Sequence, residues 1–203
     1  MKIASELVKE LRDQTGVGIM ACKNALQEAD GDITQAVDIL RKKGIAKAQK
    51  REGRSASEGQ VQAYIHMGGK IGVLVEVNCE TDFSAKTEDF SSFARNLAMH
   101  IAATNPMAIT EEGLPEDIVE REKDIYRAQA LESGKPEKVV EKIVAGKMKK
   151  FISEVCLLNQ PYVRDPDLTI EDLLNELKVK TGENVIIRRF VRFQLGTADD
   201  KAH

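Results

Sequence analysis

Through the first 45 positions, apolar residues recur three and four apart. Ile3, Leu7 and Leu11, joined by Val8, line one side of a helix that Thr15-Gly16 stops. The stretch GVGIM reads as a turn, after which Ala25, Leu26 and Ala29 give a second helix an apolar face closed by Asp30-Gly31. Asp32 with Gln35 resembles a capping box, in which Asp accepts from first-turn amides and Gln reaches back to the cap. Behind it Ile33, Ala36, Val37, Ile39 and Leu40 form a wide stripe ending at Gly44. The pattern predicts a three-helix module over residues 1–45, close to the lower size limit for an independent core.

The period then changes from helical to alternating. VQAYIH and IGVLVEVN flank Gly68-Gly69 and predict a β-hairpin. The second run is apolar on both parities until Glu76, as expected of a strand inside a sheet. CETDFSAK follows it directly. Phe90, Phe93, Ala94, Leu97, Ala98 and Ile101 then mark an amphipathic helix running to Asn105-Pro106. From Pro115 to about Val155 the chain reads as two antiparallel helices joined by ESGKPE, with Gly134 ending one and Pro136 starting the next. Ile118, Ile125 and Ala128 are placed against Val139, Val140, Ile143 and Val144, giving a protruding coiled-coil hairpin. Thr169 to Asp172 begins a last helix, and ENVIIRRFVRFQLG a last strand. There Val185, Ile187, Val191, Phe193 and Leu195 share one parity and hence one face. Arg189 interrupts that face, either as a salt-bridged or snorkelling side chain or beside a bulge. The expected class is α+β: an N-terminal three-helix ubiquitin-associated-like module, a basic linker at 46–59, and a core at 60–196. That core holds a small antiparallel sheet, packed helices and the hairpin at about 115–155, and a flexible tail at 197–203 follows.

Composition narrows the chemistry. Charged residues at 31% and hydrophobic ones at 42% describe an ordinary globular chain. The net charge of −3, the absence of Trp and an aromatic content of 4% leave little for gripping phosphates or stacking bases. RKKGIAKAQKREGRSASEG, from Arg41 to Gly59, is the basic exception: a polyanion-binding patch, or a solvated helix end and linker. The lack of interleaved aromatics favours the second. No apolar run approaches the ~20 residues of a membrane span, and the charged N-terminus is unlike a secretory signal, so no membrane association and a cytoplasmic location are expected. Cys22, Cys79 and Cys156 are odd in number and far apart, with no CxxC or Cys/His metal spacing. They read as reduced thiols filling apolar space, and a nucleophilic Cys79/His100 pair has no motif behind it. No metal or cofactor is expected. Without a G-x-x-x-x-G-K-[ST] loop the chain shows no nucleotide site of its own, and it lacks the convergent polar residues an enzyme needs.

Two segments carry a resemblance to a known family. LVKELRDQTGVGIMACKNALQEADGDITQAVDILRKKG looks like the first signature of the elongation factor Ts family, although its three-helix pattern alone also resembles ubiquitin-associated-like modules. LVEVNCETDFSAK, a strand ending in Asn-Cys-x-Thr-Asp-Phe, resembles the second signature and is far more specific. AMHIAATNP, SGKPEKVVEKIVAGKMKKF and LLNQPYV extend the likeness from Ile3 to Gly196 in a short form with a single sheet module. Two positions depart from the usual pattern: Ser84 stands where Val is common, and Ile19-Met20 where two methionines often occur.

The resemblance implies a guanine nucleotide exchange factor for the GDP form of elongation factor Tu. Such a factor displaces Mg2+ from its partner without covalent chemistry. It implies that Thr81, Asp82, Phe83 and Ser84 enter the GTPase beside its metal, with Phe83 as an apolar wedge; the bland alternative is a core aromatic beside a turn. Arg12, Gly18, Ile19, Met20 and Lys23 are the implied docking surface, against the alternative that Met20 packs inside the module. Short relatives similar in this respect are homodimers, implying a 2:2 complex. A ubiquitin-associated-like adaptor and an RNA-binding protein using the basic linker are the rival readings, and no specific nucleic acid is expected as a partner.

Overall fold

The computed structural model of the chain describes residues 3–51, 53–134 and 136–197. The tail expected at 197–203 therefore lies outside the described residues from position 198 on. Three antiparallel strands form the main sheet: β1 (Glu58–Ile65), β2 (Ile71–Cys79) and β5 (Ile186–Gln194), in the order β1-β2-β5. The central place of β2 is what its two-sided apolar run predicts. Gly68 and Gly69, at φ 87° and 69°, let the chain reverse, and the His66 N–H closes the hairpin on the Ile71 carbonyl at 2.9 Å. Chain contacts divide the molecule into two compact units. The first is Met1–Val61, Glu76–Ala94 and Asp172–Arg188; the second is Gln62–Val75, Arg95–Glu171 and Arg189–His203.

In the first unit, α1 (Ser5–Thr15), α2 (Ile19–Glu28) and α3 (Ile33–Gln49) surround a core of Val8, Leu11, Cys22, Ala25, Leu26, Ala29, Ala36 and Leu40. The stops are local chemistry. Gly16 at φ 67° caps α1, its N–H on the Arg12 carbonyl at 2.8 Å, and the Gly31 N–H reaches back to the Leu26 carbonyl at 2.8 Å to close α2. Half of the expected capping box is present: Asp32 Oδ1 accepts from the Gln35 N–H at 2.8 Å, while Asp32's own N–H goes to the Ala29 carbonyl.

The expected end of the third helix is corrected. α3 runs through Gly44 to Gln49, so the boundary at 45 falls inside a helix and the first residues of the expected linker are helical. Gly44 serves close approach instead of termination: a Cβ there would lie 2.6 Å from a methyl of Val179 on α8 (Ile170–Thr181). One turn earlier, Arg41 is ion-paired to Asp172 at 2.6 Å. This unit also contains the one-turn helix α4 (Asp82–Ala85) and the start of α5 (Glu88–Thr104).

In the second unit, α6 (Glu116–Glu132) and α7 (Glu137–Val155) form the expected helical hairpin, with Gly134 at φ 65° in the connection. Its seam differs from the expected one. Ile125, Ala128 and Val139 are exposed, and the packed set is Val119, Tyr126 and Ala130 against Val140, Ile143, Val144, Met148 and Phe151. On α6 the seam residues are seven and four apart, the coiled-coil spacing, and Ile118, Ile125 and Ala128 lie one or two positions off it. Arg127 to Glu141 and Lys147 to Gln129 bridge the arms outside the seam. A short antiparallel ribbon, β3 (Pro161–Tyr162) with β4 (Asp165–Thr169), follows. Buried His100 lies between two groups: its Nε2 is 2.9 Å from Gln160 Oε1, and the Val163 N–H points at its Nδ1 at 3.4 Å.

The last strand also departs from its simple parity. Val185 and Ile187 are buried, but Val191, Phe193 and Leu195 on the same parity are exposed. After the exposed pair Arg188 and Arg189, the less exposed positions become Phe190 and Arg192, and the Arg192 side chain donates to the Ala102 carbonyl at 3.2 Å. The face therefore changes by one position near Arg189, which belongs to the exposed side.

Candidate functional site

β2 ends at Cys79, and the chain must leave the ladder there. Thr81, extended at φ −130° and ψ 153°, is the N-cap of α4, its Oγ1 accepting from the Ser84 N–H at 3.3 Å. Below the turn the buried Cys79 thiol donates to the Thr81 carbonyl at 3.2 Å. Burial, and then the nearby Glu183 carboxylate, push this thiol above its ordinary range. The thiol fills buried space at the end of the strand. Cys22 and Cys156 are likewise free and buried.

One turn of helix then presents four side chains in different directions. Phe83 is 81% exposed, a large ring with almost no intramolecular contact. Asp82 pairs with Lys86 at 2.7 Å, and this ammonium holds its carboxyl below the usual carboxylate range. Ser84 turns inward and is buried, as is Ala85. Thr81 lies at the exposed rim. The reading of Phe83 as a core aromatic is therefore excluded by its exposure.

Partners remote in sequence hold this turn at both ends. At its start, Glu183 Oε2 accepts from the backbone N–H groups of Glu80 and Thr81 at 3.0 and 3.1 Å, and its Oε1 accepts from the Thr81 hydroxyl at 2.6 Å. Glu80 returns the contact, accepting from the Asn184 N–H at 2.7 Å. That bond, with Arg54 nearby, lowers the Glu80 pKa. At the far end the Gln60 amide donates to the Ala85 carbonyl at 2.6 Å. Glu183 and Gln60 were not among the residues the sequence singled out. Glu183 is 102 positions from Thr81, and its only local mark is an acidic residue just after Thr181-Gly182 at a helix end.

The second group expected to act, Arg12, Gly18, Ile19, Met20 and Lys23, lies at the junction of α1 and α2, and every member is exposed. Met20 is 65% and Ile19 53% exposed, which excludes Met20 as a core residue of the module. Ile19, Met20 and Lys23, spaced four and three apart, share a helix face. Gly18 begins α2 without a side-chain cap, its carbonyl accepting from the Ala21 and Cys22 N–H groups. The junction is held by near neighbours: the Thr15 hydroxyl donates to the Leu11 carbonyl at 2.7 Å and the Cys22 thiol to the Val17 carbonyl at 3.4 Å. A cleft of about 280 Å³ beside α8, lined by Val17, Leu40, Asp172 and Val179, includes none of these residues. Among the described residues no cluster of His, Cys, Asp or Glu could hold a metal ion, and no helix is long and apolar enough to cross a membrane.

The exposed aromatic at the strand exit and the exposed helix start on the module both lie within the match to one family. The sequence profile described as "Elongation factor TS" covers residues 5–197. The chain belongs to the elongation factor Ts family. Relatives carrying the name Elongation factor Ts support this over nearly full length. The protein of Desulfosudis oleivorans is 63% identical over 194 residues, 96% of this chain and 98% of its own. That of Syntrophobacter fumaroxidans is 61% identical over 197 residues, 97% and 98% of the two chains. That of Carboxydothermus hydrogenoformans is 59% identical over 194 residues, 96% and 89%. Family membership accounts for a module and a core sheet in one chain, which neither a bare ubiquitin-associated-like adaptor nor a basic RNA-binding linker requires.

Proposed function

We propose that this chain is a guanine nucleotide exchange factor for the GDP form of elongation factor Tu, and that it acts in the cytoplasm during translation elongation. The observation that carries the reading is Phe83: an apolar ring 81% exposed to water on a turn braced at both ends is arranged to be buried in something else. Thr81, Asp82, Phe83 and Ser84 form the intruding loop. Phe83 supplies the wedge and the Asp82 carboxylate competes for polar partners around the partner's Mg2+. Ser84, facing inward, keeps the loop in shape. Arg12, Gly18, Ile19, Met20 and Lys23 dock the module on the GTPase, with methionine as an adaptable contact.

A bound cation contributes much of the affinity for a multiply charged phosphate, so displacing Mg2+ weakens GDP strongly. Linkage makes the effect reciprocal: the factor by which this chain lowers GDP affinity is the factor by which GDP lowers its own. Excess GTP then displaces it, and no covalent step is involved.

A second copy of the chain is the further partner we infer. Ile65 on β1, Leu74 on β2 and Val191 and Phe193 on β5 put exposed apolar side chains on all three strands, more than isolated surface residues account for. Pairing through that face supports a 2:2 complex, testable by sedimentation mass. Release of labelled GDP from elongation factor Tu tests the main reading. Acceleration by catalytic amounts of the chain is expected, and an unchanged spontaneous rate at saturating chain would refute it.

A further inference from the structure

We infer that Glu183, on the turn between α8 and β5, is a positioning residue that aims the Thr81–Ala85 turn, and so sets how fast nucleotide is released without taking part in docking. The inference rests on the exchange reading above and deepens it. Its basis is the set of bonds at the exit of β2. The Glu80 and Thr81 N–H groups leave the β-ladder at that point, and both converge on one carboxylate oxygen at 3.0 and 3.1 Å. The other oxygen accepts a hydrogen bond from the Thr81 hydroxyl at 2.6 Å. That hydroxyl is also the N-cap of α4, and with its proton directed to Glu183 its lone pairs face the Ser84 N–H at 3.3 Å. One side chain thus fixes the direction in which the chain leaves the strand and the orientation of the group that starts the helix carrying Phe83. Glu80 makes the arrangement reciprocal, since its carboxylate accepts the Asn184 N–H at 2.7 Å and so holds the Glu183 turn in place.

The site's partial exposure separates this role from a purely structural one. Thr81 is exposed and Glu80 half-buried, so water can take over the N–H groups if the carboxylate is removed. Loss of Glu183 should therefore cost the fold little. What water cannot replace is direction: freed at its start, the turn samples orientations in which Phe83 misses its target, and the ordering falls on the insertion step that follows docking. Docking through Met20 and its neighbours does not pass through this turn, so apparent affinity should survive.

The experiment compares the full chain with its Glu183→Ala and Glu183→Gln variants in GDP release from elongation factor Tu. Rates are measured across chain concentration, with thermal melts and NMR hydrogen exchange of the Glu80 and Thr81 amides. For Glu183→Ala we expect the maximal release rate to fall about tenfold, with the half-saturating concentration within about twofold of wild type. The fold should remain intact and both amides should lose protection. Glu183→Gln keeps an oxygen for the two N–H groups and should stay within about threefold of the wild-type maximal rate. A Glu183→Ala variant that reaches the wild-type maximal rate overturns the inference. So does a pair of variants that fall equally, with raised half-saturation and lowered melting temperature, because that pattern is general destabilisation. If the wild-type chain fails to accelerate release at all, the exchange reading falls, while amide protection still reports whether Glu183 holds the turn.

Discussion

Two of the places where the chain exposes apolar side chains, the α4 turn and the start of α2, are built in opposite ways. Phe83 stands on a single helical turn tied down by Glu183 and Gln60, partners 102 and 25 positions away from the atoms they hold. Ile19 and Met20 stand on the first turn of a ten-residue helix, and the bonds that shape its approach come from residues no more than seven positions apart. The first carries a stiff ring with two side-chain torsions, the second a thioether with three rotatable bonds and a β-branched chain. A wedge must arrive in one orientation, because its effect depends on which partner groups it moves. A docking surface needs area and tolerates rearrangement. On the proposed reading the difference in construction follows the difference in task, and each substitution below either separates the two regions or breaks the contrast.

The largest expected effect is that of Phe83→Ala. Removing an interface anchor of this size commonly costs about 2 kcal/mol or more, about 30-fold. With almost no intramolecular contact to lose, the variant should melt like wild type, and the maximal rate of GDP release should carry the loss. Release at the wild-type rate would remove Phe83 from the mechanism and with it the distinction between wedge and dock.

Met20→Ala should be smaller and different in kind. A flexible side chain within a shared surface gives up about 1 kcal/mol, about fivefold, and in the half-saturating concentration instead of the maximal rate. If Met20→Ala lowers the maximal rate as Phe83→Ala does, the two regions act as one and the contrast is wrong.

How much of this was legible in the sequence also divides along local and remote lines. Helices stopped by Gly16, Gly31 and Gly134 were read in the right places, because the left-handed cap is encoded within a few residues. The central strand was legible from its two-sided apolar run. Gly44 was misread: the same residue that ends helices also permits a close crossing, and only the Val179 side chain against it tells the two apart. The seam of the α6–α7 hairpin was off by one or two positions because Ile125, Ala128 and Val139 fit an apolar stripe as well as Tyr126 and Ala130 do. Phe83 as an exposed residue came from the family resemblance, since a lone Phe beside a turn has no local mark of its environment. Glu183 was beyond reach altogether, its contacts being set by the pairing of distant turns.

Ser84 is the place where the remote bracing of the α4 turn can be strengthened. Its hydroxyl is buried beside the Cys79 thiol, and an apolar side chain of similar size suits such a site better. Ser84→Val should raise stability by about 1 kcal/mol in denaturant melts and leave the maximal release rate within about twofold. A large change in exchange would mean that the hydroxyl itself contacts the partner, which its burial argues against.

The smallest expected effect on exchange comes from acid, and it tests whether the contrast between the two regions is independent of the rest of the fold. His100 is buried in the second unit, whereas both contact regions belong to the first. The Val163 N–H donates to Nδ1, so Nε2 carries the ring proton and donates to Gln160 Oε1, while the Gln160 amide donates to the Glu154 carbonyl at 2.6 Å. Every bond fits the neutral ring. Protonation would turn Nδ1 into a donor facing another donor and place a charge in a buried site, which is why burial lowers the His100 pKa below 6.5 despite the Gln160 contact. Because the folded value lies below the unfolded one, the unfolded chain takes up the proton first as pH falls. The contribution is fully present above about 6.5 and is lost as pH drops from there through the folded value. Asp82 does not titrate in that window, since Lys86 holds its carboxyl below the usual range. Melting temperature should thus fall between pH 6.5 and 5, while the ratio of wild-type to Phe83→Ala release rates stays constant over the pH range in which both remain folded. A ratio that shifts as His100 titrates would show that the buried network reaches the α4 turn, and would undo the separation on which the comparison rests.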